Sequence, residues 1–364
     1  MIQLDVSVFL KPLATVQSLI ERKTLLPVLS HILLEDDGQQ TTLFASNREI
    51  EIDWTLPVSS GVHMACTLPA HKFYDLCRNL PAKTILSLEL QENRAVIHYG
   101  KSRFIFNSFT KEDFPFLEHH EHFSVVGLQA DRLDRALARV QFAMASQDVR
   151  QYLNGVLFDF IGDRLNVVAT DGHRLAFDQM PFSGSLLAKQ MIIPRKTIAE
   201  MRKILGGEEQ ISLKVGERLF EMRTGSIGLK STIIDGRYPD YQKVIPKDHP
   251  FVLHADRVLL LQALERCAIM TKERNDGVLL SLAPDTLILS TRNPEQEEAV
   301  EELAATYRGD PLEIAFNHSY LTEGLSHLSS TEIVFTLQDN TSSAVLRAND
   351  EEDPYRYVMM PMRI

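Results

Sequence analysis

The chain has 364 residues, a net charge of −11, 44% hydrophobic and 24% charged residues, 17 glycines and 16 prolines. This composition excludes a disordered, collagenous or coiled-coil chain, and the length exceeds one compact core, so two or three domains are expected. No apolar run is long enough to span a membrane, the first residues (MIQLDVSVFL) do not read as a secretory leader, and three scattered cysteines (Cys66, Cys77, Cys267) give neither a disulfide framework nor a CxxC site, which together predict a cytoplasmic protein.

Taken in chain order, the predicted elements recur at a spacing of about 124 residues. A first amphipathic helix at 10–23 carries Leu13-Ala14-Thr15-Val16-Gln17. An apolar strand at Ile32-Leu33-Leu34 follows, then a strand running into a turn at Ala45-Ser46-Asn47. A second helix at 69–83 opens Pro69-Ala70-His71-Lys72-Phe73, and alternating runs at 84–90 and 94–99 read as strands with one buried face. Asp113-Phe114-Pro115 reads as a linker. The second copy has a helix at 130–150 (Ala130-Asp131-Arg132, then Leu137 to Gln141), the strand Val156-Leu157-Phe158, the turn Ala169-Thr170-Asp171, a helix at 194–205 opening on Pro194, and the linker Arg237-Tyr238-Pro239. The third has a helix at 255–274 (Ala255-Asp256-Arg257, then Leu264 to Ala268), the strand Val278-Leu279-Leu280, the turn Ser290-Thr291-Arg292 and a helix at 315–330 from Asn317. It ends on Val358-Met359-Met360-Pro361-Met362-Arg363-Ile364. Strand runs segregated between two helices per unit predict α+β architecture with antiparallel sheets, in three domains at 1–124, 125–250 and 251–364.

Charge is distributed unevenly. The six repeated helices together carry +8, which leaves −19 for the remainder. For one helix this is an ordinary solvated face; six related helices sharing the bias point to a common basic surface. On an acidic body, such a surface attracts a polyanion weakly and locally. A 120-residue domain is roughly 30–35 Å across, so three in a ring leave almost no hole, whereas six leave one of roughly 30 Å, wider than a DNA duplex. Six domains require two chains.

The stretches Gln147-Asp148-Val149-Arg150, Tyr152-Leu153-Asn154-Gly155, Ala169-Thr170-Asp171-Gly172-His173-Arg174-Leu175-Ala176, Asp235-Gly236-Arg237-Tyr238-Pro239-Asp240-Tyr241, Asn293-Pro294-Glu295-Gln296-Glu297-Glu298 and Met360-Pro361-Met362-Arg363 resemble the β sliding clamps of bacterial DNA polymerase III. The resemblance runs from residue 1 to the last residue. It implies three DNA-clamp domains per chain, with antiparallel sheets outside and two helices per domain inside, in a head-to-tail homodimeric ring around duplex DNA. It implies processivity without catalysis, and as partners DNA, a second copy, the polymerase III catalytic subunit, a clamp loader, and other polymerases and repair proteins that dock through peptides with hydrophobic and glutamine anchors. No cofactor is implied.

By the same resemblance, the peptide pocket comprises Tyr152, Leu153, Thr170, Gly172, His173, Arg174, Leu175, Pro239, Lys243, Val244, Ser343, Val358, Met360, Pro361, Met362 and Arg363. Apolar Leu175, Val244, Val358, Met360 and Met362 suit its walls, methionine adapting to several partner side chains, while Arg174, His173 and the backbone near Gly172 suit orientation of the peptide. Lys23, Gln147, Arg150, Gln151 and Tyr152 are DNA-facing on the resemblance, and the helix charge count adds Lys72, Arg195, Lys196, Arg202 and Lys203. A dimer interface is implied in which Phe104 and Phe106 meet Ile269 and Met270, and Lys72 and Arg103 face acids among Glu297, Glu298, Glu301 and Glu302. The acidic run could instead be a solvated helix face. Gln151 stands where the family often has an aromatic residue, Lys23, His71 and Lys243 where arginine is common, and Ile364 where leucine is.

Two rival patterns carry less. Asp171-Gly172-His173 could mimic part of a nucleophile–base pair, but no GxSxG, P-loop, HExxH or GxGxxG accompanies it, so no catalytic residue is expected. His119-His120-Glu121-His122 follows a proline-bearing linker without a second ligand cluster and reads as a solvated loop, not a metal site. A non-encircling interaction scaffold would keep the pocket and lack the ring.

Overall fold

The computed structural model describes residues 1–22, 24–58, 61–81, 83–117, 121–186, 188–206, 210–270 and 277–363. Lys23, His119, His120 and Ile364 lie outside the described residues. Seven helices are present among them: α1 (Val6–Ser18), α2 (Ala70–Arg78), α3 (Ala130–Val140), α4 (Arg195–Ile204), the single turn α5 (Tyr241–Val244), α6 (Arg257–Cys267) and α7 (His318–Ser326). All the sheets pair antiparallel. Among the described residues each predicted long helix is present and shorter than its expected span; residues 271–274 of the helix expected at 255–274 lie outside the described residues. The first starts four residues ahead of the expectation, because Asp5 ends the strand Ile2–Asp5 and accepts the Ser7 N–H at 2.9 Å as a cap. Its buried face is Val6, Phe9, Pro12, Leu13 and Val16.

Two compact units result. The first contains Met1–Asp131, Phe182–Leu186 and Ala199–Ile233. It has a four-stranded sheet in the order Ile2–Asp5, Ile85–Gln91, Arg94–Tyr99, Ser102–Asn107, and a nine-stranded sheet in which Ile227–Thr232 pairs with Ile50–Leu56. The second contains Arg132–Pro181, Leu187–Ile198 and Ile234–Ile364. It has a nine-stranded sheet in which Arg174–Pro181 pairs with Arg356–Met359, and a four-stranded sheet in the order Glu298–Ala304, Thr286–Arg292, Gly277–Ala283, Leu312–Asn317. The division cuts through the second repeat because its two sheets are hydrogen-bonded onward, one into the first repeat's strands and one into the third's.

Strand register corrects one sequence landmark. Leu33 and Leu157 occupy the same place as Leu279, and their hairpin partners are Phe44, Val168 and Ser290. Ala45 and Ala169 therefore correspond to Thr291, one residue beyond the Ser290 that similarity suggested. Burial agrees, since Thr291 is buried as Ala45 and Ala169 are. Glu298–Ala304 is a strand with alternating exposure, not a helix face. The turn before it has two more residues than its counterparts, and proline and acidic residues there obscure the alternation.

Among the described residues, the four-stranded sheets leave Ser102–Asn107 and Glu298–Ala304 as unpaired edges. Phe104 and Phe106 are half-buried while Ile105 is exposed, so the first edge carries apolar side chains on both faces.

Candidate functional site

In the second unit's nine-stranded sheet the strands Arg174–Pro181 and Arg356–Met359 run side by side. Leu175 stands opposite Val358, and both are buried. Together with Leu157, Val168, Ile192, Tyr238, Tyr241 and Val345 they form one apolar cluster, against which Tyr152, Phe177, Ile234 and Ile245 pack from its rim. The chain reaches this cluster through a turn that its own side chains fix. Asp171 Oδ1 accepts the N–H groups of His173 (2.9 Å) and Arg174 (3.1 Å). Thr170 Oγ1 accepts the Gly172 N–H at 3.0 Å and donates to the Arg174 carbonyl at 2.6 Å. Gly172 has φ +94°, a left-handed conformation that favours glycine, and a Cβ there would come within 3.3 Å of the Arg150 guanidinium.

Opposite the turn, the C-terminal residues leave the sheet. The Met360 N–H donates to the His173 carbonyl at 3.0 Å and the Met362 N–H to the Ala315 carbonyl at 2.8 Å, which holds the last residues as a wall. Met360 is 48% exposed, an accessible apolar side chain directly beyond buried Val358 and Met359. Pro239 is exposed, as are Lys243 and Val244 of α5, where Lys243 pairs with Asp240 at 2.8 Å. Tyr238 and Tyr241 anchor this segment. The Tyr241 hydroxyl donates to Asp159 (2.7 Å) and accepts from Asn166 (2.9 Å), and burial with the Asp159 bond pushes its pKa up to about 12. Ser343, half-buried, precedes the strand Ala344–Ala348 that pairs with Arg356–Met359.

Arg174 is bonded within the unit. Its Nε bonds Asp171 (3.0 Å), Nη2 bonds the Phe142 carbonyl (2.9 Å), Nη1 pairs with Glu323, and the guanidinium lies 4.2 Å from the centroid of the Tyr320 ring. Through these bonds Arg174 braces the turn, while His173 is exposed. Tyr241, Phe177 and Val345 were missed by sequence reasoning. The signal for the tyrosine was its place two residues after Pro239, which repeats that of Leu117 after Pro115.

The cationic candidates are mostly held by neighbours. Arg150 bonds Asp148 through Nε (3.0 Å) and Nη2 (2.9 Å), and those bonds hold the Asp148 carboxyl down at a pKa of about 2. Gln147, with φ +58°, sits in the same loop, beside exposed Gln151 and half-buried Tyr152; Leu153 is buried. Arg195 donates to the Met144 and Ala145 carbonyls at 2.8 and 3.1 Å, and Lys196 beside it is exposed. In the first unit, Lys203 pairs with Glu200 at 2.8 Å next to half-buried Arg202. Lys72 lines a cavity with Arg22, His31, His71 and Phe106.

The remaining candidates divide between the units. Arg103, Phe104 and Phe106 lie on the first unit's free edge. In the second unit, Ile269 is 76% exposed, Met270 half-buried, and Glu297, Glu298 and Glu302 exposed, while Glu301 is engaged by Arg266 at 2.6 and 2.7 Å. The Glu121 carboxylate caps the N–H groups of Glu217, Arg218 and Leu219 at 2.7–3.1 Å. Among the described residues no group of three or more His, Cys, Asp or Glu side chains could hold a metal ion, and no helix is long and apolar enough to cross a membrane.

Residues 2–118, 127–240 and 242–363 match, respectively, the N-terminal, central and C-terminal domains of the DNA polymerase III beta subunit. The beta sliding clamp of Pseudomonas putida is 37% identical over 358 residues, covering 98% of this chain and 97% of that protein. That of Escherichia coli K12 is 36% identical over 360 residues, with 98% and 97% covered. Among solved structures, the DNA polymerase III subunit beta of Pseudomonas aeruginosa superposes with a TM-score of 0.96 at 36% identity, over 100% of this chain and 99% of that one. A Pseudomonas aeruginosa sliding clamp bound to griselimycin superposes at 0.95 and 35% identity, over 100% and 99%.

Proposed function

The chain belongs to the DNA polymerase III β subunit family, the β sliding clamps, and from that membership we propose how its own residues close a ring and hold a partner. The protein is a non-catalytic processivity factor: it encircles duplex DNA and tethers the polymerase by topology, so its lining need be only faintly basic. Domain limits at 1–124, 125–250 and 251–364 accord with the repeat.

One observation carries the ring. Two sheet joins inside the chain use the same pair of repeat positions. Ile52 and Ala176, each set opposite the equivalent alanine of its hairpin (Ala45, Ala169), face Leu229 and Tyr357 across the joins. The third member of the first series is Ala299, opposite Thr291. Phe104 is the counterpart of Leu229: each stands two residues into a strand that follows a matching two-residue turn, at Gly100 (φ +55°) and Gly225 (φ +51°). Repeating the join between two copies sets Ala299 of one chain opposite Phe104 of the other and Glu297 opposite Phe106. Arg103 then falls opposite Val300, diagonally between Glu298 and Glu302, where opposite charges attract. A heterologous join of this kind closes into a head-to-tail dimer.

The pocket of Leu175, Val358, His173, Pro239, Val244 and the Met360–Arg363 wall receives short peptides with hydrophobic and glutamine anchors. Such peptides are expected on the polymerase III catalytic subunit, the clamp loader, and other polymerases and repair proteins. Gln147, Arg150, Gln151, Tyr152, Arg195, Lys196, Arg202, Lys203 and Lys72, with Lys23, are proposed to face the duplex, and the setting is the cytoplasm. The test is retention on DNA after loading with a clamp loader: the protein stays on a closed circle and is lost when that circle is cut. Equal loss from both would refute encirclement, and a monomer by light scattering at micromolar concentration would refute the join.

A further inference from the structure

The Met360–Arg363 wall continues the strand Arg356–Met359, and the segment entering that strand is held by one buried cation. Arg139 of α3 presents its guanidinium to Asp353 as a fork, Nη1 to Oδ1 at 2.7 Å and Nη2 to Oδ2 at 2.9 Å. Asp178, on the strand that also carries Leu175, lies 3.5 Å from the same Nη1. The guanidinium carbon sits 5.2 Å from the centroid of the Tyr355 ring, which is fully buried. Asp353 also accepts the Tyr355 N–H at 3.1 Å, and Arg356 donates to the Asp353 and Tyr355 carbonyls at 2.8 and 2.7 Å. Arg139 therefore joins α3, the Leu175 strand and the run-in to the Val358 strand. Desolvating such ions costs roughly what their attraction returns, so an apolar trio would hold the core as well; what the fork adds is a fixed direction and distance.

We propose that Arg139 is a positioning residue for the docking pocket: it fixes the run-in at Asp353–Tyr355, hence the placement of the C-terminal strand and of the Met360–Arg363 wall. This rests on the peptide-docking reading of the pocket. Two links carry placement from strand to wall, Met360 N–H to the His173 carbonyl and Met362 N–H to the Ala315 carbonyl. Without the guanidinium, Asp178 and Asp353 become neighbouring carboxylates in a mostly dry site. Arg135 and Arg356 are the other cations bearing on both, with Tyr355 and Tyr357 around them. Burial raises the Asp178 pKa; it opposes ionisation of Asp353 too, but there the Arg139 bonds prevail and hold the carboxyl below its ordinary value.

The probe is a fluorescently labelled synthetic peptide with glutamine and leucine anchors, titrated into the full-length protein. Arg139→Met is expected to weaken binding about tenfold at neutral pH, with affinity returning as pH falls toward about 5 and the carboxylates take up protons. The parent protein should show no such recovery, and Arg139→Met/Asp353→Asn should bind within about threefold of the parent. Hydrogen exchange should quicken at the Met360 and Met362 amides and stay unchanged at Leu157. Unchanged affinity and exchange in Arg139→Met overturn the proposal, as does a loss with no pH recovery and no rescue. Should that variant not fold, Arg139→Lys, which keeps the charge and loses the fork, decides by the same two readouts. Removal of residues 360–364 is the separate control: undiminished peptide affinity there sinks the docking reading itself.

Discussion

At equivalent places in the repeat, one nine-stranded sheet sets Leu175 opposite Val358 and the other sets Glu51 opposite Lys230. The backbones match closely. Asn47 Oδ1 accepts the Glu49 and Ile50 N–H groups as Asp171 Oδ1 accepts those of His173 and Arg174. The Ser46 hydroxyl takes the Arg48 N–H as Thr170 takes that of Gly172, and both third residues have positive φ. The cross-strand pair then decides the surface. Leu175 and Val358 give an apolar floor beside exposed Met360. Glu51 and Lys230 instead form an ion pair at 3.3 Å that grips the linker: Glu51 accepts the Leu117 N–H at 2.8 Å and Lys230 donates to the Leu117 carbonyl at 3.2 Å. One scaffold thus carries an apolar pair at one join, where we propose that peptides dock, and an ion pair bonded to the linker at the other. Desolvated polar groups reject apolar anchors, so this pair separates the chemistry of the two joins.

Writing the first join into the second breaks the comparison most severely. Leu175→Glu with Val358→Lys is expected to abolish detectable peptide binding, at least about 100-fold by the worth of two apolar contacts of roughly 1.5–3 kcal/mol each. Calorimetric titration reads it, and micromolar binding in the double variant would mean that the floor is not where peptides sit. Removing Met360 to Ile364 should cost nearly as much affinity while leaving the dimer intact by light scattering, since the ring-closing residues all lie elsewhere.

The converse change tests the seam. Lys230→Met leaves Glu51 buried, bonded only to the Leu117 N–H, and should destabilise the fold by about 3 kcal/mol with peptide affinity unchanged. Thermal unfolding measures this; a loss under about 0.5 kcal/mol would show that the carboxyl simply takes up a proton. Tyr241→Phe probes the receptor side more gently. It deprives buried Asp159 of a 2.7 Å donor and should cost about 1–2 kcal/mol.

Most of this organisation was legible in the chain. Landmarks such as Pro69, Pro194 and Asn317 mark helix starts because the first turn tolerates proline and favours asparagine as a cap, and each precedes a helix here. The turn at Asp171–His173 was legible because Asp171 and Gly172 are residue types that this backbone favours. Less visible was whatever depends on pairing across long separations. That Glu51 meets Lys230, or Arg139 meets Asp353, follows from strand register and from helix placement, which no local pattern states. The partners of Arg174 were invisible for the same reason, since Glu323, Tyr320 and the Phe142 carbonyl are distant in sequence. The one-residue error at Ser290 came from matching small side chains where only hairpin register could tell serine from threonine.

The smallest expected effect lies in pH dependence, and its sign separates the two joins. Burial raises the Glu51 pKa above its ordinary value, and the Leu117 N–H and Lys230 only partly counter it. A folded-state pKa above the unfolded one means that the folded protein binds the proton more tightly. Glu51 therefore contributes stability that is full below the ordinary glutamate pKa and lost as pH rises through its raised folded value. The receptor's side of the molecule runs the other way. Asp148, held at about 2 by Arg150, contributes stability present above the ordinary aspartate value and lost as pH falls toward 2. Glu51→Gln should flatten the loss of stability as pH rises above the glutamate range toward neutrality and leave the acid limb untouched; Asp148→Asn should do the reverse, with the smaller amplitude because that pair faces solvent. Denaturant unfolding of both variants across that pH range supplies the slopes. Identical slopes in Glu51→Gln and the parent would mean that Lys230 and the Leu117 amide neutralise the burial cost completely, and the seam would then be an ion pair without a pH signature.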